Sequence, residues 1–148
     1  MSIATSAKSS ETPNILLVDD NKMGLSARKI VLEELGYRIV PFSNPLQALE
    51  QFVVQKFDLV ITDYRMPNMD GIELISHVRA TQPLIPVVLI SGFVDTLGLD
   101  ERSTGADAVI QKSNHEVANL IRAVQRLLNR KKPAGSQASA RKNRSKAI

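Results

Sequence analysis

The sequence predicts an α/β domain built on a doubly wound parallel sheet. Two observations carry this. Five short apolar runs recur along the chain, at Ile15–Val18, Arg38–Pro41, Leu59–Thr62, Val87–Ile90 and Ala108–Gln111, and most are continuous rather than alternating, as in strands covered on both faces. The stretches between them carry the start and stop signals of helices, so strand–helix units follow one another in series.

Each element has its own reason. Gly36 follows the Lys22–Leu35 stretch and Gly105 follows the segment ending at Thr104, both in the place where a left-handed residue closes a helix. Asn44 before Pro45 reads as an N-cap with proline at the first helical position. Ser113 with Glu116 three residues on predicts a capping box opening a helix to about Asn129. In that helix Val117, Leu120, Ile121, Val124, Leu127 and Leu128 form one apolar stripe expected to lie on the sheet.

Composition sets limits on function. The 148 residues are 43% hydrophobic and 23% charged, a globular balance for one domain. With no cysteine and only His77 and His115, thiolate chemistry, disulfides and histidine-rich metal sites are excluded. The apolar runs are too short to span a bilayer, and residues 1–13 lack the apolar centre of a signal peptide, so a cytoplasmic protein without membrane insertion is expected. The net charge of +4 is misleading: seven of the 19 basic residues lie at or beyond Arg130, leaving 12 basic against 15 acidic residues over positions 1–129. Basicity belongs to the tail, which argues against a nucleic-acid-binding domain. We expect a flexible leader over 1–13, a folded domain over 14–130 and a disordered basic tail over 131–148.

Ligands of open α/β sheets bind outside the carboxyl ends of the strands. The first run closes on Asp19-Asp20, the third on Thr62-Asp63, the fourth on Ser91-Gly92 and the fifth on Lys112. Three carboxylates, a hydroxyl and an ammonium would then share one edge. Carboxylates about 4 Å apart repel by roughly 4 kcal/mol per pair at an effective dielectric near 20, so such a set calls for a cation. Hard oxygen donors suit Mg²⁺, and an aspartate beside bound Mg²⁺ is equipped to accept a phosphoryl group. Singly, each residue has an ordinary explanation. Asp19 and Asp20 could cap the first helix, Asp63 could serve the turn before Met66-Pro67, and Ser91 and Lys112 are common solvated strand-end residues. Asp58 begins the third strand with no chemistry, and His77 is a surface residue of a helix. It is the conjunction that points to a site.

That conjunction resembles the receiver domain of two-component response regulators. Leu16-Leu17-Val18-Asp19-Asp20, the run from Asp58 to Gly71 (DLVITDYRMPNMDG), Ser91 and Lys112 carry the resemblance, which extends from about Asn14 to Asn129. It implies a flavodoxin-like strand order 2-1-3-4-5 and a set of roles. Asp63 would be the phosphoacceptor. Asp20, Asp63 and the backbone carbonyl of Arg65 would ligate Mg²⁺, Asp19 would act through a metal-bound water, and Ser91 and Lys112 would hold phosphoryl oxygens. A sensor histidine kinase or histidine phosphotransfer protein would be the donor, and a stand-alone receiver would signal by binding a downstream protein or by passing the phosphoryl group onward. The implied binding surface is the fourth helix, fifth strand and last helix, with Arg122 and Arg126.

A turnover enzyme is the weaker reading, since Asp63 is followed by Tyr64-Arg65 rather than by a second carboxylate at the Asp-x-Asp spacing, and no G-x-x-x-x-G-K loop is present. The implied chemistry is limited to Mg²⁺-dependent gain and loss of the domain's own phosphoryl group. Two rivals stand beside it: a receiver-like interaction module that works without phosphorylation, and a module whose basic tail contacts nucleic acid. The sequence also departs from the usual receiver. Val109 stands where an aromatic switch residue is usual, Ser113 follows the lysine in place of proline, and serine replaces threonine at 91. A trans Lys112–Ser113 bond is therefore expected, with Phe93 or the 94–100 loop substituting for the missing ring.

Overall fold

The computed structural model describes residues 12–130; the expectations for 1–11 and 131–148 lie outside the described residues. The chain runs β1 (Asn14–Val18), α1 (Lys22–Glu33), β2 (Arg38–Phe42), α2 (Pro45–Val54), β3 (Leu59–Asp63), α3 (Gly71–Thr81), β4 (Val87–Ser91), α4 (Val94–Leu97), α5 (Glu101–Thr104), β5 (Ala108–Gln111) and α6 (Glu116–Arg130). All strand pairs are parallel, in the order β2-β1-β3-β4-β5, which is the flavodoxin-like order expected.

The strands read as continuous apolar runs because the sheet is covered on both sides. Successive residues go to opposite faces. Ile15, Leu17, Leu59, Ile61, Val88 and Ile90 meet Leu32 of α1 and Leu120, Val124 and Leu127 of α6 on one face. Leu16, Val18, Val60, Val87 and Leu89 meet Ala48 and Phe52 of α2 and Leu74, Ile75 and Val78 of α3 on the other. Phe52 stacks on Phe57 with ring centroids 6.2 Å apart. Pro41, which lacks an amide donor, sits in β2 at the sheet edge, where an unpaired position is tolerated.

Most of the punctuation holds. Asn44 Oδ1 accepts from Leu46 N at 2.8 Å and Gln47 N at 3.3 Å, and Gly36 takes a positive φ of 96° behind α1. Three expectations need correction. The capping box at Ser113 does not form: Ser113 Oγ accepts from His115 N at 3.1 Å, and the Glu116 carboxylate turns instead to Arg28. Val117 leaves the expected stripe and is 48% exposed, because α6 is rotated so that Glu116 faces inward with Leu120, Ala123, Val124 and Leu127. The 94–100 segment, expected as a loop, holds a four-residue helix, which Gly98 closes in the left-handed region before an Asp100–Ser103 capping box starts a second four-residue helix ending at Thr104. Among the described residues no peptide bond is cis, Lys112–Ser113 included, and no helix is long and apolar enough to cross a membrane.

Candidate functional site

The strand ends bring the predicted residues to one edge. β1 stops at Val18, and the next two residues are Asp19, buried at 1% exposure, and Asp20, which is exposed. Neither caps α1. Asn21 does, its Oδ1 accepting from Met23 N and Gly24 N at 3.0 Å, while Asp19 Oδ1 accepts from Asn21 N at 2.9 Å. Asp63 is the last residue of β3 and only 5% exposed, so it is no turn residue. Oxygens of Asp19, Asp20 and Asp63 lie within 4.8 Å of one another.

Two cations face this cluster. Lys112, following β5, places Nζ 2.7 Å from the buried Asp63 Oδ1, an ion pair with the one carboxylate of the cluster that lies within a strand. Arg28, from α1, donates Nη1 to Asp19 Oδ2 and Nε to Glu116 Oε2 at 2.7 Å. Ser91 closes β4 beside Asp63, whose register partner is Ile90; its Oγ accepts from Phe93 N at 2.8 Å. Arg65 is exposed in the loop after β3, and its guanidinium carbon stands 4.5 Å from the centroid of the Phe93 ring, a cation–π contact across the mouth of the site.

Burial is the main force on Asp63 and pushes its carboxyl pKa above the ordinary value; Lys112 and Arg28 pull it down and Asp19 pushes it up further. A carboxyl raised in the folded state is stabilising while protonated, and that contribution is lost as pH rises through the raised value. Metal-free Asp63→Asn is therefore expected to melt a few degrees above the parent at neutral pH, and the gap should close on acidification. Calorimetry in a chelator across the acid range checks this, and a variant melting lower at neutral pH would contradict it.

The remaining candidates are placed outside the pocket. Asp58 precedes β3 and its Oδ2 accepts from Asn14 N at 2.8 Å, a structural tie. His77 is exposed on α3. Sequence reasoning missed Arg28 and Glu116. The available signal was the spacing Leu25, Arg28, Leu32, which puts an arginine on the inward stripe of α1. It also missed why Gly71 is glycine: a Cβ there would stand 2.4 Å from the Asp63 carbonyl oxygen.

Sheet order and pocket together define a flavodoxin-like α/β protein with its site at the β1/β3 switch point, where strand order reverses. The chain belongs to the response regulator receiver domain family, whose model matches residues 15–125. Transcriptional regulatory protein ZraR of Klebsiella oxytoca is 37% identical over 105 residues, 70% of this chain and 24% of ZraR, so the chain spans about a quarter of that relative. Response regulator receiver protein CpdR of Brucella abortus is 30% identical over 114 residues, 77% of this chain and 94% of CpdR. The response regulator TrrA of Thermotoga maritima, solved in complex with Mg²⁺–BeF, matches with a TM-score of 0.69 at 30% identity, over 78% of this chain and 99% of that one.

Proposed function

We propose that Asp63 accepts a phosphoryl group from a phosphohistidine on a sensor histidine kinase or a histidine phosphotransfer protein. The domain then signals by binding a downstream protein or by passing the group onward. The observation that carries this reading is the buried Asp63 carboxylate, flanked by the Lys112 ammonium and by two further carboxylates.

The donor set fits Mg²⁺: three hard carboxylates converge, with oxygens within 4.8 Å of one another. Asp20, Asp63 and the Arg65 carbonyl would hold the ion directly. Asp19, with both oxygens already engaged, would act through a water. When bound, Mg²⁺ neutralises negative charge on the transferred group. In the transfer a carboxylate oxygen of Asp63 attacks phosphorus, the O–P bond forms as the P–N bond breaks, and the imidazole leaves with the electron pair and takes up a proton. The Lys112 ammonium is placed to hold a phosphoryl oxygen. Ser91 Oγ already accepts from Phe93 N, which leaves its O–H to donate to another. We place the binding face on the groove between the Val94 segment, β5 and α6, lined by Val94, Val109, Gln111, Asn119, Arg122 and Arg126.

Incubation with a small acyl phosphate and Mg²⁺ is expected to add the mass of one phosphoryl group to the parent chain and none to Asp63→Asn. A parent chain that never gains it would favour the phosphorylation-independent module instead.

A further inference from the structure

Arg28 stands where the inward stripe of α1 would ordinarily carry an apolar side chain, between Leu25 and Leu32, and is only 9% exposed. Two carboxylates from different parts of the chain hold it. Asp19 Oδ2, in the acidic pocket, accepts from Nη1, and Glu116 Oε2, in the first turn of α6, accepts from Nε at 2.7 Å. Gly24 makes the room: a Cβ there would meet Asp19 Oδ2 at 3.0 Å and Arg28 Nη1 at 3.3 Å. A guanidinium keeps its proton at any working pH, so this is a fixed positive charge held on Asp19, whereas Lys112 pairs with Asp63.

We propose that Arg28 is a resident counter-ion of the acidic pocket, which competes with the divalent cation for Asp19 and links occupancy of the metal site to the first turn of α6 through Glu116. The inference rests on the reading of the pocket as a Mg²⁺ site. Its physics is direct. Asp19 shares its charge between Arg28 and whatever else enters, and an arriving dication meets a fixed like charge in a partly desolvated setting, where screening is weak. As Asp19 turns toward the metal, Arg28 shifts its weight onto Glu116, and the start of α6 responds. An ion triad serving stability alone would leave metal affinity and α6 untouched.

The test is Mg²⁺ titration of the full chain, its Arg28→Met variant and its Glu116→Gln variant, read by calorimetry and by backbone amide shifts. Arg28→Met is expected to bind Mg²⁺ at least about tenfold tighter, equivalent to about 1.4 kcal/mol. Glu116→Gln is expected to bind more weakly, because Arg28 then rests on Asp19 alone. Amides of the first turn of α6 should shift with Mg²⁺ in the parent and stay still in Arg28→Met. Equal or weaker binding by Arg28→Met, or an unresponsive α6 in the parent, overturns the proposal. Should Arg28→Met fail to fold, Glu116→Gln and the parent's α6 shifts decide it. Failure of both parent and Arg28→Met to bind Mg²⁺ overturns the metal site itself, whereas equal affinity in all three overturns the role of Arg28 only.

Discussion

Gly71→Ala is expected to destabilise the domain by about 3 kcal/mol or more and to abolish phosphoryl uptake with it. The added Cβ would stand 2.4 Å from Asp63 O, 2.7 Å from Leu89 Cδ1 and 3.0 Å from Tyr64 Cα. Two of those atoms are backbone and have no rotamer to retreat into. Gly71 N also donates to Tyr64 O at 2.7 Å, so the start of α3 is bonded to the same segment it would now collide with. Relief requires α3 to withdraw from the end of β3, and Asp63 moves when it does. Thermal melting and phosphoryl mass gain read the two effects together. Gly92→Ala is the control: it has open space around it and no positive φ, and should change neither measurement appreciably.

Lys112→Ala should slow phosphoryl uptake by about 10²–10³-fold, the usual cost of removing one donor aimed at developing negative charge. Nζ lies 2.7 Å from Asp63 Oδ1 with the side chain 37% exposed, so it can follow a phosphoryl oxygen without repacking the core. The same change removes an ammonium that lowers the Asp63 pKa, so the metal-free carboxyl should titrate still higher in the variant. Mg²⁺ binding should be at least as tight, since no metal ligand is lost and a cation that competes for Asp63 is removed. Rapid-mixing kinetics with a small acyl phosphate separates the outcomes: uptake slowed with no loss of Mg²⁺ affinity supports a phosphoryl-holding role, and an unchanged rate removes it.

The sheet was legible because its strands are buried on both faces and so spell out uninterrupted apolar runs. Their limits were read one residue short at Thr62 and Ile90, since Asp63 and Ser91 are polar yet complete the ladders. Local rules succeeded where nothing distant competed, as at Asn44-Pro45 and Gly36. They failed at Ser113–Glu116 because a charged partner 88 residues away in sequence outbid a backbone amide for the carboxylate. The pocket itself could be listed from strand ends, but the residue that caps α1 could not: Asp19 and Asp20 were the possible caps, and the fold gives the task to Asn21 and leaves both aspartates to the pocket. Arg28 was hidden for a related reason, since no local pattern shows which carboxylates an inward arginine will find.

The divided crossover between β4 and β5 gives the domain an uneven stiffness. A four-residue helix is a single turn, too short to hold its shape without neighbours, and of the eight residues in the two turns only Thr104 is buried. Of the longer helices, α2, α3 and α6 each bury three or more apolar residues, and α1 buries Leu32 and packs Leu25 beside it. Compliance is therefore gathered at one edge, immediately beyond Ser91 and Phe93, and a displacement begun at the end of β4 can be absorbed there while the sheet beneath keeps its shape.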